Sequence, residues 1–364
     1  MDASRLRILD AAANRAREAL RVLEDVARFA WDDAGLTGRL KALRHDLAAA
    51  LGMLPMERGL QSRDTAGDVG TGIKTEAEFS RAGMAGVLAA NTRRLTEALR
   101  TLEEVAKTFD GAAAARLEQL RYRAYTLEKE IGLQAVTEDG RARFARVRLV
   151  VLLTESLCVL PWEKVLDEIL AAGGNDAARL CIQLREKELE DGELLGRARR
   201  VAERCRGAGG AGEGGAISMI NDRADIALLA GADGVHVGQG DLPLAEVKRI
   251  WVMGARGGGI TGISTENLAQ ARSAAEQGPT YIAAGPMFPT TTKDKPRIVG
   301  PAYAAELARE LKLPLVAIGG ITPENAREVL AAGATALAVS SVVLRSEKPR
   351  EVVARLLAIS GTAE

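Results

Sequence analysis

From residue 147 to the end, short apolar runs alternate with amphipathic segments, and this alternation constrains the fold more than any other feature. The runs are VRLVVLL (147–153), RLCIQL (179–184), AISMI (216–220), GVHV (234–237), GITGI (259–263), TYIAA (280–284), LVAIG (315–319) and ALAVS (336–340). Each is rich in β-branched or aliphatic residues and short enough for a strand buried on both faces. Between them lie helical patterns such as WEKVLDEILAAG, DGELLGRARRVAERC and ENLAQARSAAEQG, and PREVVARLLAI closes the chain. Eight strands, each followed by a helix, predict a (β/α)8 TIM barrel, and about 214 residues is the small end of its range. A doubly wound open sheet also alternates β and α, but it does not require eight repeats ending on a helix.

Residues 1 to about 135 follow a different pattern. RILDAAANRAREALRVLEDVARFAWDD carries Ile8, Leu9, Ala12, Ala16, Leu20, Leu23 and Ala27 at helical spacing. LTGRLKALRHDLAAALG follows, ended by Gly52 and Pro55. The polar link QSRDTAGDVGTGIKT separates these from VLAANTRRLTEALRTLEEVAKTF and AAAARLEQLRYRAYTLEKEIG. EALRVLEDVARF (Glu18–Phe29) echoes EALRTLEEVAKT (Glu97–Thr108). Shared composition of amphipathic helices and a pseudo-symmetric helical domain both explain the echo. The expected organisation is an all-α domain over 1–136, a linker over 137–146, and the barrel over 147–364.

Lys+Arg and Asp+Glu both number 49, so no global field draws nucleic acid or an anionic membrane. An anionic ligand must be held locally. The three cysteines, Cys158, Cys181 and Cys205, lack CxxC spacing and a histidine cluster, which argues for free thiols rather than zinc or disulfides. The first residues lack an apolar signal region, and no run approaches membrane-spanning length, so a cytoplasmic location is expected.

A barrel places its chemistry where strands hand over to the following loops. Strand 2 ends in QLREK, whose Gln183, Arg185 and Lys187 share one side of an extended chain and make an anion grip, or else a solvated helix start. Strands 3 and 4 end in Asn221-Asp222-Arg223 and Gly238-Gln239-Gly240-Asp241. Neighbouring strands would bring Asp222 and Asp241 together, and paired carboxylates need a proton or cation between them. Mg2+ suits such a pair; helix N-capping is the alternative role for each acid. Ser264, after strand 5, could meet phosphate or cap the helix near Asn267. GPMFPTTTKDKP follows strand 6, and Thr290, Thr291, Thr292 and Lys293 suit phosphate and diphosphate. Gly319 and Gly320 after strand 7, with Ser340 after strand 8, suit backbone N–H binding of phosphate. His236 reads as a hydrogen-bonded interior residue. No Ser-His-Asp arrangement is supported.

In order, QLREK, INDR, GVHVGQGDLP, GPMFPTTTK and AIGGI resemble the motifs of thiamine-phosphate synthase (thiamine-phosphate pyrophosphorylase), over about residues 147–360. The resemblance implies a transferase that joins hydroxymethylpyrimidine diphosphate to thiazole phosphate, releases diphosphate and proceeds dissociatively. It implies that Gln183, Arg185, Lys187, Asn221 and Ser264 hold the pyrimidine substrate and its diphosphate, and that Asp222 and Asp241 hold Mg2+. It assigns Thr290, Thr291, Thr292, Gly320, Val339 and Ser340 to the thiazole phosphate. Lys293, Arg185 and Lys187 are the implied catalytic cations. One departure is Glu266, where the family often has histidine. A thiazole tautomerase would need neither QLREK nor the Asp pair; a phosphate-binding regulatory barrel is the non-enzymatic alternative.

NRAREALRVLEDVARF, LKALRH, SRDTAGDVGT and ANTRRLTEALRTLEE resemble the helical domain fused ahead of some thiamine-phosphate synthases, which is associated with hydroxymethylpyrimidine phosphate kinase activity. Arg17, Arg21 and Glu24 share a helix face, and Arg63, Asp64 and Asp68 lie in the polar link. A kinase needs cations and a carboxylate; a scaffold with solvated charges needs neither. There is no GxxxxGK[ST] loop. The expected partners are small-molecule substrates, with no nucleic acid and no membrane; a homo-oligomer is compatible with the sequence.

Overall fold

The computed structural model describes residues 3–62, 83–209, 214–253, 259–290 and 298–361. The chain divides into two compact units, Met1–Ala135 and Val136–Glu364.

The first unit is built from α1 (Ala3–Asp25), α2 (Ala34–Leu51), α3 (Met56–Gln61), α4 (Gly83–Ala106) and the first part of α5 (Gly111–Phe144), with a π-helical turn at Val26–Ala30. Leucine and alanine at helical spacing form its core: Leu9, Leu20 and Leu23 of α1 pack with Leu40, Leu43 and Leu47 of α2 and with Leu95, Leu99 and Leu102 of α4. The echoing segments lie on α1 and α4, which pack against each other. The equivalence extends to ion pairs. Glu24 of α1 meets Arg44 of α2 at 2.9 Å, and Glu103, at the matching place on α4, meets Arg121 of α5 at 2.7 Å. Leu40-x-x-Leu43-Arg44 likewise matches Leu117-x-x-Leu120-Arg121. The first pair is half-buried and the second buried, and both stand where the echo places them, which favours a pseudo-symmetric helical arrangement over shared composition alone. The hydrogen bond from Arg121 holds the Glu103 carboxyl below its ordinary range.

In the second unit eight parallel strands close in sequence order. They are β1 (Leu149–Leu153), β2 (Leu180–Leu184), β3 (Ile217–Asn221), β4 (Gly234–Val237), β5 (Ile260–Thr265), β6 (Tyr281–Ala284), β7 (Leu315–Ile318) and β8 (Ala336–Val339). Closure is made by Leu149, Val150 and Val151 of β1 against Leu337, Ala338 and Val339 of β8. The outer helices are α6 (Trp162–Gly173), α7 (Asp191–Gly207), α8 (Ala224–Ala230), α9 (Leu244–Met253), α10 (Leu268–Glu276), α11 (Gly300–Glu310) and α12 (Ala326–Ala331), with α13 (Ser341–Leu344) and α14 (Pro349–Ser360) after β8.

Strand periodicity divides each run between two cores. Leu149, Val151 and Leu153 join the cluster under the helices, whereas Val150 and Leu152 join the barrel interior. β2 alternates alike: Leu180, Ile182 and Leu184 face the helices and Cys181 faces inward. The expected linker over 137–146 is largely helix, because α5 continues to Phe144. Burial explains this. Phe144 and Val147 are part of the interior cluster, and the Phe144 ring stacks on Tyr281 with centroids 4.1 Å apart and planes 2° apart. The end of α5 therefore supplies part of the packed interior below the strand ends.

All three cysteines are free. Burial pushes the Cys181 and Cys205 thiols up, and Cys158 up to about 11. None is primed as a thiolate.

Phe144→Ala should destabilise the barrel by about 3–5 kcal/mol, the cost of emptying a buried aromatic site. Phe29→Ala, at a ring that is 71% exposed, should change stability by less than about 0.5 kcal/mol. Denaturant titration of the full chain checks both.

Candidate active site

A cavity of about 450 Å3 opens where the strands end. Gln183, Arg185, Lys187, Asn221, Asp222, Asp241, Ser264, Thr290, Gly320, Val339 and Ser340 all line it. These residues come from the ends or following loops of seven strands, β2 to β8. Thr291, Thr292 and Lys293 lie outside the described residues, as do Arg63, Asp64 and Asp68.

The QLREK segment works by alternation. Gln183, Arg185 and Lys187 face the cavity, and Glu186 turns the other way onto Arg197 of α7 at 2.8 Å. Arg197 is itself buried, also binds Glu155 and Glu193, and lies over the Trp162 ring. Glu186 further accepts from the Glu155 backbone N–H at 2.8 Å, and Thr154 donates to the Arg185 carbonyl at 2.8 Å. The segment is thus tied down on its outer side while its two cations stay at the cavity. Inside, Gln183 donates to the Asn221 side chain at 2.9 Å, which joins the ends of β2 and β3.

Asp222 has φ +62°, a left-handed conformation that aspartate tolerates better than most residues. Its backbone N–H donates to the His236 carbonyl at 2.8 Å, which ties the turn to β4. Lys187 approaches its carboxylate at 3.4 Å. Burial and the neighbouring Asp241 carboxylate raise the Asp222 pKa, while Lys187 opposes the shift. Asp241 accepts from the Gly238 N–H at 2.7 Å. Neither acid caps a helix. Arg223 is the N-cap of α8, and α9 begins at Leu244. Arg223 itself turns outward to Asp191 and Asp225. Ser264 is no cap either, because Asn267 caps α10 by accepting from Gln270 at 3.0 Å.

Gly319 and Gly320 have φ +101° and +64°. A Cβ at Gly319 would stand 2.5 Å from Pro286, and one at Gly320 would stand 2.3 Å from the Pro289 carbonyl oxygen. The close backbone approach expected for a ligand is thus made first by the loop after β6. Asn325 donates to the Gly320 carbonyl at 3.0 Å, and Ser340 donates to Leu152 of β1 at 3.1 Å.

Several lining residues were not among the expected site residues. Gln239 donates to the Ser264 carbonyl at 2.7 Å. Glu266 lines the cavity and its N–H donates to the Gln270 side chain. His236 and Tyr281 lie deeper, hydrogen-bonded to each other at 2.9 Å. Strand periodicity marks His236 as inward-facing, but no local signal pairs it with a tyrosine 45 residues away. Val150, Leu152 and Ile318 supply apolar wall.

A polar rim with both cations and paired acids above an apolar wall suits a small, multiply anionic substrate with an apolar ring. Among the described residues no group of three or more His, Cys, Asp or Glu side chains could hold a metal by itself. No described helix is long and apolar enough to cross a membrane.

Comparison with known proteins agrees with this geometry. Residues 151–343 match the family described as thiamine monophosphate synthase, and residues 7–130 match the ThiD2 family. The thiamine-phosphate synthase of Rhodopirellula baltica is 41% identical over 344 residues, covering 93% of this chain and 88% of the relative. That of Gloeobacter violaceus is 37% identical, covering 97% and 96%. Among solved structures, thiamine phosphate pyrophosphorylase from Pyrococcus furiosus is 31% identical with a TM-score of 0.52, covering 61% of this chain and 98% of that one. The chain belongs to the thiamine-phosphate synthase family, transferases of thiamine biosynthesis, and carries a ThiD2-family domain ahead of its barrel.

Proposed function

We propose that the cavity joins 4-amino-2-methyl-5-hydroxymethylpyrimidine diphosphate to a thiazole phosphate, releases diphosphate, and does so with Mg2+ held by Asp222 and Asp241. The observation that carries this reading is one cavity lined by two adjacent carboxylates and by Arg185 and Lys187. The acids fit the ion: a half-buried carboxylate raised by its neighbour is relieved by a cation, and Mg2+ keeps waters and phosphate oxygens beside one or two carboxylates. When bound, the ion offsets charge on the departing diphosphate.

The chain's own residues account for the rest. Arg185 and Lys187, with Lys293 from the threonine loop, hold the diphosphate and stabilise the charge that grows as its C–O bond breaks. Gln183 and Asn221, already hydrogen-bonded to each other, orient the pyrimidine together with Ser264. An electron-rich aminopyrimidine can carry the positive charge left on its methylene carbon. The apolar wall of Val150, Leu152 and Ile318 keeps water from that carbon, so the thiazole nitrogen attacks instead. Thr290, Thr291 and Thr292, with Gly320, Val339 and Ser340, hold the thiazole phosphate. No general base is required; positioning and charge stabilisation carry the reaction.

The ThiD2-family match supports a second activity for residues 7–130, phosphorylation of hydroxymethylpyrimidine phosphate to the diphosphate. Of the helix-face residues, Arg17 and Arg21 are exposed, whereas Glu24 is held by Arg44. Tied up in that pair, Glu24 is read as fastening α1 to α2 rather than as the kinase carboxylate. The full chain should convert hydroxymethylpyrimidine phosphate and ATP to the diphosphate and ADP, and Glu24→Gln should keep that turnover. Absence of ADP formation would leave the helical unit as a scaffold.

For the barrel, purified protein with both substrates and Mg2+ should form thiamine phosphate and diphosphate. Asp222→Asn and Asp241→Asn, which keep the side-chain shape, should each lower kcat at least about a hundredfold. Wild-type rates and Mg2+ dependence in either variant would overturn the metal assignment.

The raised Asp222 pKa sets the direction of the pH effect. Protons compete with the ion as pH falls through that value, which is raised from the ordinary aspartate value. Apparent Mg2+ affinity should therefore weaken toward acid, approaching about tenfold per pH unit once one proton must leave for each ion bound. Titrating Mg2+ against activity at several pH values measures this slope, and a flat profile down to the ordinary aspartate range would contradict it.

A further inference from the structure

His236 of β4, Gly262 of β5 and Tyr281 of β6 lie in one row across three strands. The middle position has no side chain, and this is what lets the outer two meet. A Cβ on Gly262 would stand 2.2 Å from the Tyr281 ring, 2.5 Å from its hydroxyl and 2.6 Å from His236 Nδ1. Through that gap His236 Nδ1 and the Tyr281 hydroxyl approach to 2.9 Å. On the other side of the imidazole, Nε2 lies 2.8 Å from Ser264 Oγ. Ser264 stands two residues beyond Gly262 on the same strand and lines the cavity.

The direction of this relay follows from its protons. The phenol has one, and burial favours its retention. It has two acceptors in reach, His236 Nδ1 at 2.9 Å and the Met219 sulfur at 3.6 Å. A thioether is a weak acceptor and an imidazole nitrogen a good one, so the proton goes to Nδ1. In the neutral ring Nε2 then carries hydrogen and donates to Ser264 Oγ. Ser264 keeps its own proton for another partner. The Tyr281 ring is held from beneath by its stack on Phe144, so the start of the relay is fixed.

We propose that Tyr281 and His236 are positioning residues that hold the Ser264 hydroxyl as a donor into the cavity, toward an acceptor nitrogen of the pyrimidine ring. The proposal rests on Ser264 being a pyrimidine contact. Gly262 is the specificity of the device in backbone form: any side chain there would separate imidazole from phenol.

The test uses the full chain and the variants Tyr281→Phe, Ser264→Ala and both together. Phenylalanine keeps the stack on Phe144 and removes only the hydroxyl. Tyr281→Phe should lower kcat/KM for the pyrimidine diphosphate about tenfold, the scale of one positioned hydrogen bond, and leave the thiazole phosphate KM unchanged. On the Ser264→Ala background it should cost nothing further, because the relay then has no end to act on. The chain has only two histidines, His45 and His236, so 15N NMR of the imidazoles gives a readout independent of turnover. Wild type should show the Nε2–H tautomer for His236, and Tyr281→Phe should lose that preference. An Nδ1–H tautomer in wild type, wild-type kinetics for Tyr281→Phe, or the same tenfold loss on the Ser264→Ala background would each overturn the relay. Should Ser264→Ala alone leave the pyrimidine parameters unchanged, the pyrimidine contact itself fails, and the relay's role fails with it. Impairment by Ser264→Ala beside an unaffected Tyr281→Phe removes the relay alone.

Discussion

Parallel pairing of β1 with β8 is the constraint on which the second unit depends. A parallel strand in a closed barrel is buried on both faces, so each run must serve two cores at once. Odd positions of β1 pack under the helices and even positions fill the interior. Closure also gathers all eight strand ends into one rim. Residues as far apart in the chain as Gln183 and Ser340 thereby line a single cavity. No segment carries the site alone, and none could assemble it without the ring being closed.

Within that rim the polar groups are placed by opposing demands. Alternation sends Arg185 and Lys187 inward and Glu186 outward, where buried Arg197 holds it. The left-handed turn at Asp222 brings its carboxylate beside Asp241, where burial and like charge make ionisation costly. Lys187 relieves part of this cost and a divalent ion would relieve more. Deeper in the barrel the same strand geometry joins His236, Tyr281 and Ser264 through the space left by Gly262. The helical unit uses charge differently. Its matched Glu24–Arg44 and Glu103–Arg121 pairs fasten α1 to α2 and α4 to α5.

Much of the site was legible because strand ends in a (β/α)8 barrel are predictable from periodicity. β4 has the expected bounds, and the other strands differ by one or two residues at their ends. Where the acids and Ser264 had two readings, cap geometry separated them: Arg223 and Asn267 occupy the N-caps. The glycines after β7 are also where the loop after β6 comes close. That contact is between segments about 30 residues apart and leaves no local trace. The helical conformation of the segment before β1 has a similar cause, since Phe144 is drawn into the barrel by a ring on β6.

The sequence by itself determined the alternation of strands and helices, the order of the strand-end motifs and the types of group they offer. Those are properties of local period and chemistry, and they survive without knowledge of any long-range contact. Only the tertiary structure decided which groups meet. The Asp222–Asp241 pair, the Glu186–Arg197 anchor and the Tyr281–His236–Ser264 relay each join residues from different strands or helices. Their partners are chosen by register and closure, and register is a property of the whole ring rather than of any stretch of chain.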